Sequence, residues 1–144
     1  MSATLIHLYK VHDQFLVPVV AETTAGYFLD VDPVERVPAS DRDALVSVLD
    51  RELTRGNPVV PSPSRDNFPA PVVLKPAAVR SWKALERIAT IVSISSDRAK
   101  ACEVSIFRPR AGRRSGADEE THVLPGSASA SEIAGLVLEQ IELR

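Results

Sequence analysis

The stretch from Pro58 to Pro76 limits this chain more than any other. It holds six of the 11 prolines in 144 residues: Pro58, Pro61, Pro63, Pro69, Pro71 and Pro76. Each proline removes a backbone donor, and the residue before it is pushed out of the helical region. Neither a helix nor an inner strand runs through such a segment. It reads as a Pro-rich crossover over residues 57–76, extended and irregular, with little regular hydrogen bonding. The sequence is thereby divided into two halves.

The first half opens with Thr4 to Val11, a run rich in strand formers. A turn at His12-Asp13-Gln14 leads to a second strand, Phe15 to Val20. Pro18 removes a donor there, so this strand belongs at an edge or carries a bulge. Ala25-Gly26 marks the turn into a third strand, Tyr27 to Val31. After Val37-Pro38 a helix follows, with Ser40 as N-cap and Asp43 in the first turn. Leu45, Val48, Leu49 and Leu53 form its apolar stripe, and Gly56 closes it.

The second half begins with a short helix, Ser81 to Ile88, capped by Ser81. Trp82, Leu85 and Ile88 or Ala89 share its apolar face. Thr90 to Ile94 alternates at period two and reads as a strand, as does Cys102 to Phe107 beyond the charged turn 97–100. Thr121 to Leu124 is a brief strand. A last helix starts at Ser129, with Glu132 in the capping-box position and a stripe of Ile133, Leu136, Val137 and Ile141. The halves echo each other as any two meander-plus-helix units would. The expected fold is a single α+β domain over residues 1–144. Two β-meanders make an antiparallel sheet, and two longer helices and one short helix pack on it.

Composition narrows the function. With 17 basic and 19 acidic side chains the net charge is -2, which lacks the basic excess that a phosphate backbone selects. Aromatic residues are 5% of the chain, too few for the stacking platforms of single-strand binders. No apolar run approaches a membrane span. The N-terminal residues lack the basic and apolar regions of a secretory signal, and a lone cysteine suits a reducing compartment, so the cytoplasm is expected.

No catalytic constellation stands out. The three histidines, His7, His12 and His122, have no metal-ligand spacing, and Cys102 cannot supply half of a paired-cysteine site. Nucleophile elbows and Gly-rich phosphate loops are absent from the sequence. His12-Asp13 are sequence neighbours in a turn and point different ways. Cys102 reads as a buried, inert thiol, and Trp82 as a core or near-core anchor. Two charged groups remain. Asp30, Asp32 and Glu35 gather where the first meander leaves for its helix. Arg108, Arg110, Arg113 and Arg114 form a basic loop, followed by Asp118, Glu119 and Glu120. Opposite charges this close most often solvate a hairpin. An acidic patch is also able to mimic a phosphate backbone.

The run Arg65 to Lys75 (RDNFPAPVVLK), followed by Val79 to Glu86 (VRSWKALE), resembles small immunity proteins of bacterial contact-dependent growth inhibition systems. In those proteins an extended Pro-rich segment precedes a Ser-Trp-Lys helix and a second β-meander that ends in a C-terminal helix. The resemblance is one of general order from about Gly26 onward and is sharpest between Arg65 and Glu86. It implies a cytoplasmic, non-enzymatic protein that forms a heterodimer with a cognate toxin domain, often a nuclease, and covers its active site or a substrate surface. It carries over no catalytic residue, metal ligand or cofactor. The residues expected to meet the partner are Asp30, Asp32 and Glu35, with Arg65, Asp66 and Asn67 of the Pro-rich segment. Membrane and nucleic acid are not expected as partners. Two other classes stand beside this reading. One is a small enzyme with a non-standard His/Asp site, which requires a histidine to converge with a carboxylate and a cation. The other is a nucleic-acid-binding module using Arg108 to Arg114.

Overall fold

A computed structural model describes residues 3–109 and 117–142. The first meander comprises β1 (Thr4–Val11), β2 (Gln14–Thr23) and β3 (Phe28–Pro38), followed by helix α1 (Arg42–Arg55). A two-residue strand β4 (Val59–Val60) and a single 3-10 turn (Arg65–Asn67) lie in the Pro-rich segment. The second half runs α2 (Trp82–Ile88), β5 (Ala89–Ser96), β6 (Ala101–Pro109), β7 (Ala117–Pro125) and α3 (Ala130–Glu142).

All strands join one sheet of seven, in the order β3-β2-β1-β5-β6-β7, with β4 added to β2. The long pairings are antiparallel; β4 alone is parallel. β4 pairs with Glu22 and Thr23, and its neighbours complete the ladder. Glu22 N–H donates to the Pro58 carbonyl (2.8 Å) and Thr24 N–H to the Val60 carbonyl (3.0 Å). The α+β class and the two meanders follow the sequence reading. Each meander now proves to be half of a sheet that mirrors itself about the β1–β5 pair.

Side-chain alternation sorts residues between the two faces. On one face Ile6 and Leu8 of β1, Phe15 and Val17 of β2, Val92 and Ile94 of β5, and Val104 and Ile106 of β6 meet α1 and α3. Leu45, Val48 and Leu49 of α1 and Ile133, Ala134 and Val137 of α3 close this core. The larger of these side chains each contribute about 1.5–3 kcal/mol on full burial. Cys102 lies in the same core, where burial pushes its thiol up from the ordinary value. The other face carries a smaller core of Tyr9, Val11, Leu16 and Ala89, covered by Val73 of the crossover, Ala77 just beyond it and Leu85 of α2.

Local chemistry explains where elements begin and end. Asp41, not Ser40, caps α1: its carboxylate accepts from Ala44 N–H at 3.0 Å. Either residue type serves, and the carboxylate also complements the helix dipole. The capping box of α3 forms as read, with Glu132 N–H donating to Ser129 Oγ (3.1 Å) and Ser129 N–H to Glu132 Oε1 (2.9 Å). Gly135 on α3 makes room for the Arg42 guanidinium of α1, which donates to Ser131.

The structure departs from the sequence reading at β2 and β3. β2 is an inner strand of the sheet, but β1 pairs it only as far as Leu16, so Pro18 is paired to β3 alone; the register shifts between Pro18 and Val19, and the extra residues, Asp32 and Pro33, lie on β3 rather than on β2. β3 does not stop at Val31. It continues to Pro38 through Asp32-Pro33, where the peptide bond is cis. The bulge takes up Asp32-Pro33, and pairing of β3 with β2 resumes at Val34. β7 is also longer than the brief strand expected, because β6 supplies a complete antiparallel partner.

Truncating the main core gives a direct check. Leu49→Ala is expected to lower unfolding free energy by about 2–5 kcal/mol in urea titrations. Val123→Ala, at a side chain 66% exposed, is expected to change it by less than about 0.5 kcal/mol.

Candidate functional site

The face opposite α1 and α3 is only partly covered. Cross-strand registers lay its residues out in rows. Tyr9, Ile91, Phe107 and Glu119 are directly paired in sequence across β1, β5, β6 and β7. The next row along the strands is His7, Ser93, Ser105 and Thr121, and the one after is Leu5, Ser95, Glu103 and Val123. The crossover and α2 cover Tyr9. The later rows present short hydroxyl side chains, an exposed glutamate and an exposed valine. Ser105 and Thr121 bond each other across the strands (3.1 Å).

At the margin of this open face Asp30 of β3 reaches β1. Its Oδ1 lies 2.7 Å from His7 Nδ1, and its Oδ2 accepts from the Tyr9 hydroxyl at 2.5 Å. The Asp30 side chain is 13% exposed. A carboxylate so little exposed requires partners, and these two residues supply them. Tyr9 is buried, and its phenol is held far above the ordinary 10.0: burial is the larger cause, and the neighbouring Asp30 adds charge repulsion and a hydrogen bond to the neutral form. The Tyr9 ring stands edge-on to Trp82 of α2, with centroids 6.0 Å apart. A chain of contacts thus runs from β3 through β1 to α2.

The six residues expected to meet a partner do not form one patch. Asp30 is engaged as described. Asp32 is exposed in the bulge. Glu35 turns to the helix face, where it pairs with Arg51 of α1 at 2.7 Å. The acidic group therefore does not gather where the meander leaves the sheet; the intervening bulge and the alternation of β3 separate its members. Arg65, Asp66 and Asn67 form an exposed turn in the crossover. Their side chains and that of Asp32 have no bonded partner among the described residues.

The histidines are equally dispersed. His7 faces the open side. His122 lies on the helix side beside Glu120 (2.7 Å), which also pairs with Arg108. Arg108 in turn donates to the Gln140 carbonyl of α3 (2.8 Å). Arg108, only 13% exposed, thus ties α3 to β6 and β7 rather than solvating the hairpin, and Arg110, Arg113 and Arg114 lie outside the described residues. His12 sits in the β1–β2 turn with φ 57°. A hollow of 400 Å³ does bring Lys10, His12, Asp13 and Glu142 around one opening. His12 and Asp13 are exposed there and do not bond each other, and Lys10 donates to the His12 carbonyl (2.6 Å). Among the described residues no group of three or more His, Cys, Asp or Glu could hold a metal ion.

Two features were not read from the sequence. Asn57 takes three backbone groups, Leu5 N–H and the carbonyls of Leu5 and Val20, at 2.8–2.9 Å. Long-range bonds of this kind leave no local pattern. The second is an apolar cavity of 240 Å³ lined by Trp82, Glu86, Ala89, Ile91 and Phe107, where α2 meets the row of Tyr9. Its lining comes from three elements, so only the register could assemble it.

The Tyr9 phenol sets a pH dependence. Its folded value is raised, so its stabilising contribution is complete below the unfolded value near 10 and is lost as pH rises beyond it. Wild type is expected to lose stability relative to Tyr9→Phe above about pH 10. At neutral pH Tyr9→Phe is expected to cost about 1–3 kcal/mol through the Asp30 carboxylate it leaves short of a donor. Urea unfolding at paired pH values reads both effects; parallel stability profiles from pH 8 to 11 would contradict the burial of this phenol.

No protein-family model matches the sequence, and no curated protein sequence matches it significantly. Solved structures do share the fold. A Neisseria meningitidis protein of unknown function superposes with a TM-score of 0.63 over 99% of this chain and 96% of its own, at 13% identity. A chain of the CdiA-CT/CdiI toxin and immunity complex from Yersinia pseudotuberculosis superposes with a TM-score of 0.63 over 98% of this chain and 97% of its own, at 14% identity. This chain has the fold of those two proteins.

Proposed function

We propose that this chain is an immunity protein that binds a cognate toxin domain and neutralises it by occlusion. The observation that supports this reading is the likeness to a chain of a toxin and immunity complex, which extends over nearly the full length of both chains. The geometry is compatible with it. A sheet face left uncovered by helices offers a broad surface for a partner, and its short hydroxyl side chains are adaptable hydrogen-bonding groups. Asp32, Arg65, Asp66 and Asn67 are exposed and free to meet a partner, whereas Asp30 and Glu35 are already engaged within the chain. No helix among the described residues is long and apolar enough to cross a membrane. In this reading the protein acts in the cytoplasm, where an incoming toxin reaches its target, and a nuclease is the partner class the family resemblance suggests.

An enzymatic reading draws on the hollow around Lys10, His12 and Asp13. General acid–base work needs a positioned pair within hydrogen-bond reach of a bound substrate. The exposed side chains there are not held by one another, so the binding reading is the better supported.

Co-expression with the product of the adjacent upstream gene tests the proposal. The expected outcome is a stable one-to-one complex by size-exclusion chromatography, together with growth arrest by the upstream product alone and rescue by this chain. Absence of both complex and toxicity would sink it.

A further inference from the structure

The cavity beside α2 has the chemistry of a receptor for one side chain. At 240 Å³ it falls below the roughly 300–1,000 Å³ of small-molecule sites. Its walls are the indole of Trp82, the ring of Phe107, and Ile91 and Ala89, with one carboxylate, Glu86, among them. Glu119 lies directly across from Phe107 on β7, on the same face. Neither glutamate has a hydrogen-bond or ion-pair partner among the described residues. The cations nearest in sequence are turned away. Arg108 follows Phe107 and so points to the opposite face, where it bonds Gln140 and Glu120. Lys83 and Arg87 are each one residue on from Trp82 and Glu86, about 100° round the helix, and do not line the cavity.

Trp82 is also held in place before any partner arrives. It is 39% exposed, yet its ring packs edge-on against Tyr9, which Asp30 fixes from β3. A pre-set aromatic wall costs little to order on binding. Aromatic faces attract a guanidinium, and a carboxylate accepts from it in a planar, two-pronged fashion. Lysine matches this pair less well, since its compact ammonium neither stacks nor forks.

From this we infer that the cavity of Trp82, Phe107 and Glu86 is the anchor pocket for an arginine side chain of the toxin domain. The inference rests on the immunity reading and names the chemistry by which the partner is held. The arginine stem lies along Trp82, Phe107 and Ile91, and its head pairs with Glu86, with Glu119 supplying additional negative field.

The test measures affinity for the purified toxin domain from the adjacent upstream gene by calorimetry, for wild type and three variants. Trp82→Ala is expected to weaken binding about 30-fold or more, as a central aromatic anchor does. Glu86→Gln, which preserves shape and sits outside both cores, is expected to weaken it about tenfold and to reduce its dependence on salt. Lys83→Ala, on the flank of the same helix, is expected to bind as wild type. Thermal melts confirm that each variant folds. If wild type binds and Glu86→Gln binds equally well with unchanged salt dependence, the arginine pocket is refuted while the immunity role stands. If wild type forms no complex, both fall together.

Discussion

Pairing of β1 with β5 is the constraint on which the rest depends. Eight consecutive residues match, from Thr4 opposite Ser96 to Val11 opposite Ala89, and this pairing makes one sheet of two meanders. Once the register is set, alternation decides the destination of every neighbouring side chain. Ile6 and Leu8 go to the helices with Val92 and Ile94; His7 and Tyr9 go to the other side with Ser93 and Ile91. A slip of one residue would carry Tyr9 into the helix core and Leu8 onto the open face. The hydrophobic content of the two faces therefore holds the register as firmly as the hydrogen bonds do.

Tyr9 is where the two faces and the two halves become interdependent. A buried phenol needs an acceptor, and the acceptor on hand is a carboxylate from the far edge strand. That choice ties β3 to β1 just before the bulge of β3 at Asp32-Pro33. It also fixes one side of Trp82, and through Trp82 the seating of α2. The Asp30–Tyr9 bond and the Tyr9–Trp82 contact thus link β3 to one wall of the cavity.

The periodic parts of this architecture were legible in the sequence. The stripes of α1 and α3, the Ser81 cap of α2 and the Ser129–Glu132 capping box are local patterns, and the structure contains each of them. The long β3 was not legible, because Asp32-Pro33 has the signature of a turn and only pairing with β2 keeps the strand going. Pro18 left two alternatives, edge or bulge, that local chemistry could not separate. The candidate site was less legible still. Asp30 was singled out as an exposed acid, but its partners lie 21 and 23 residues away. Trp82 was read as an anchor, and it is one on its Tyr9 side while its remaining surface faces solvent. The cavity beside it depends on a helix, two strands and their register at once, which no window of sequence contains.

The symmetry of the sheet sharpens the question of where a partner would sit. Each half supplies three strands and a helix, and both long helices lie on the same face. A strictly symmetric molecule would leave the opposite face bare from end to end. The crossover and α2 break that symmetry: Val73, Ala77 and Leu85 cover the part of the face around Tyr9 and Val11 and stop short of the rows beyond. The border between covered and uncovered sheet is where Trp82, Glu86 and Phe107 meet. There an aromatic edge and unpaired carboxylates adjoin a flat surface of serine and threonine. Interfaces concentrate their energy in a few desolvated anchors surrounded by nearly neutral contacts. For the partner proposed above, the border would supply a shaped recess for the first and the open rows would supply the second. The Pro-rich segment thus does more than connect two halves: with α2 it covers the face incompletely and so creates a border where both kinds of surface meet.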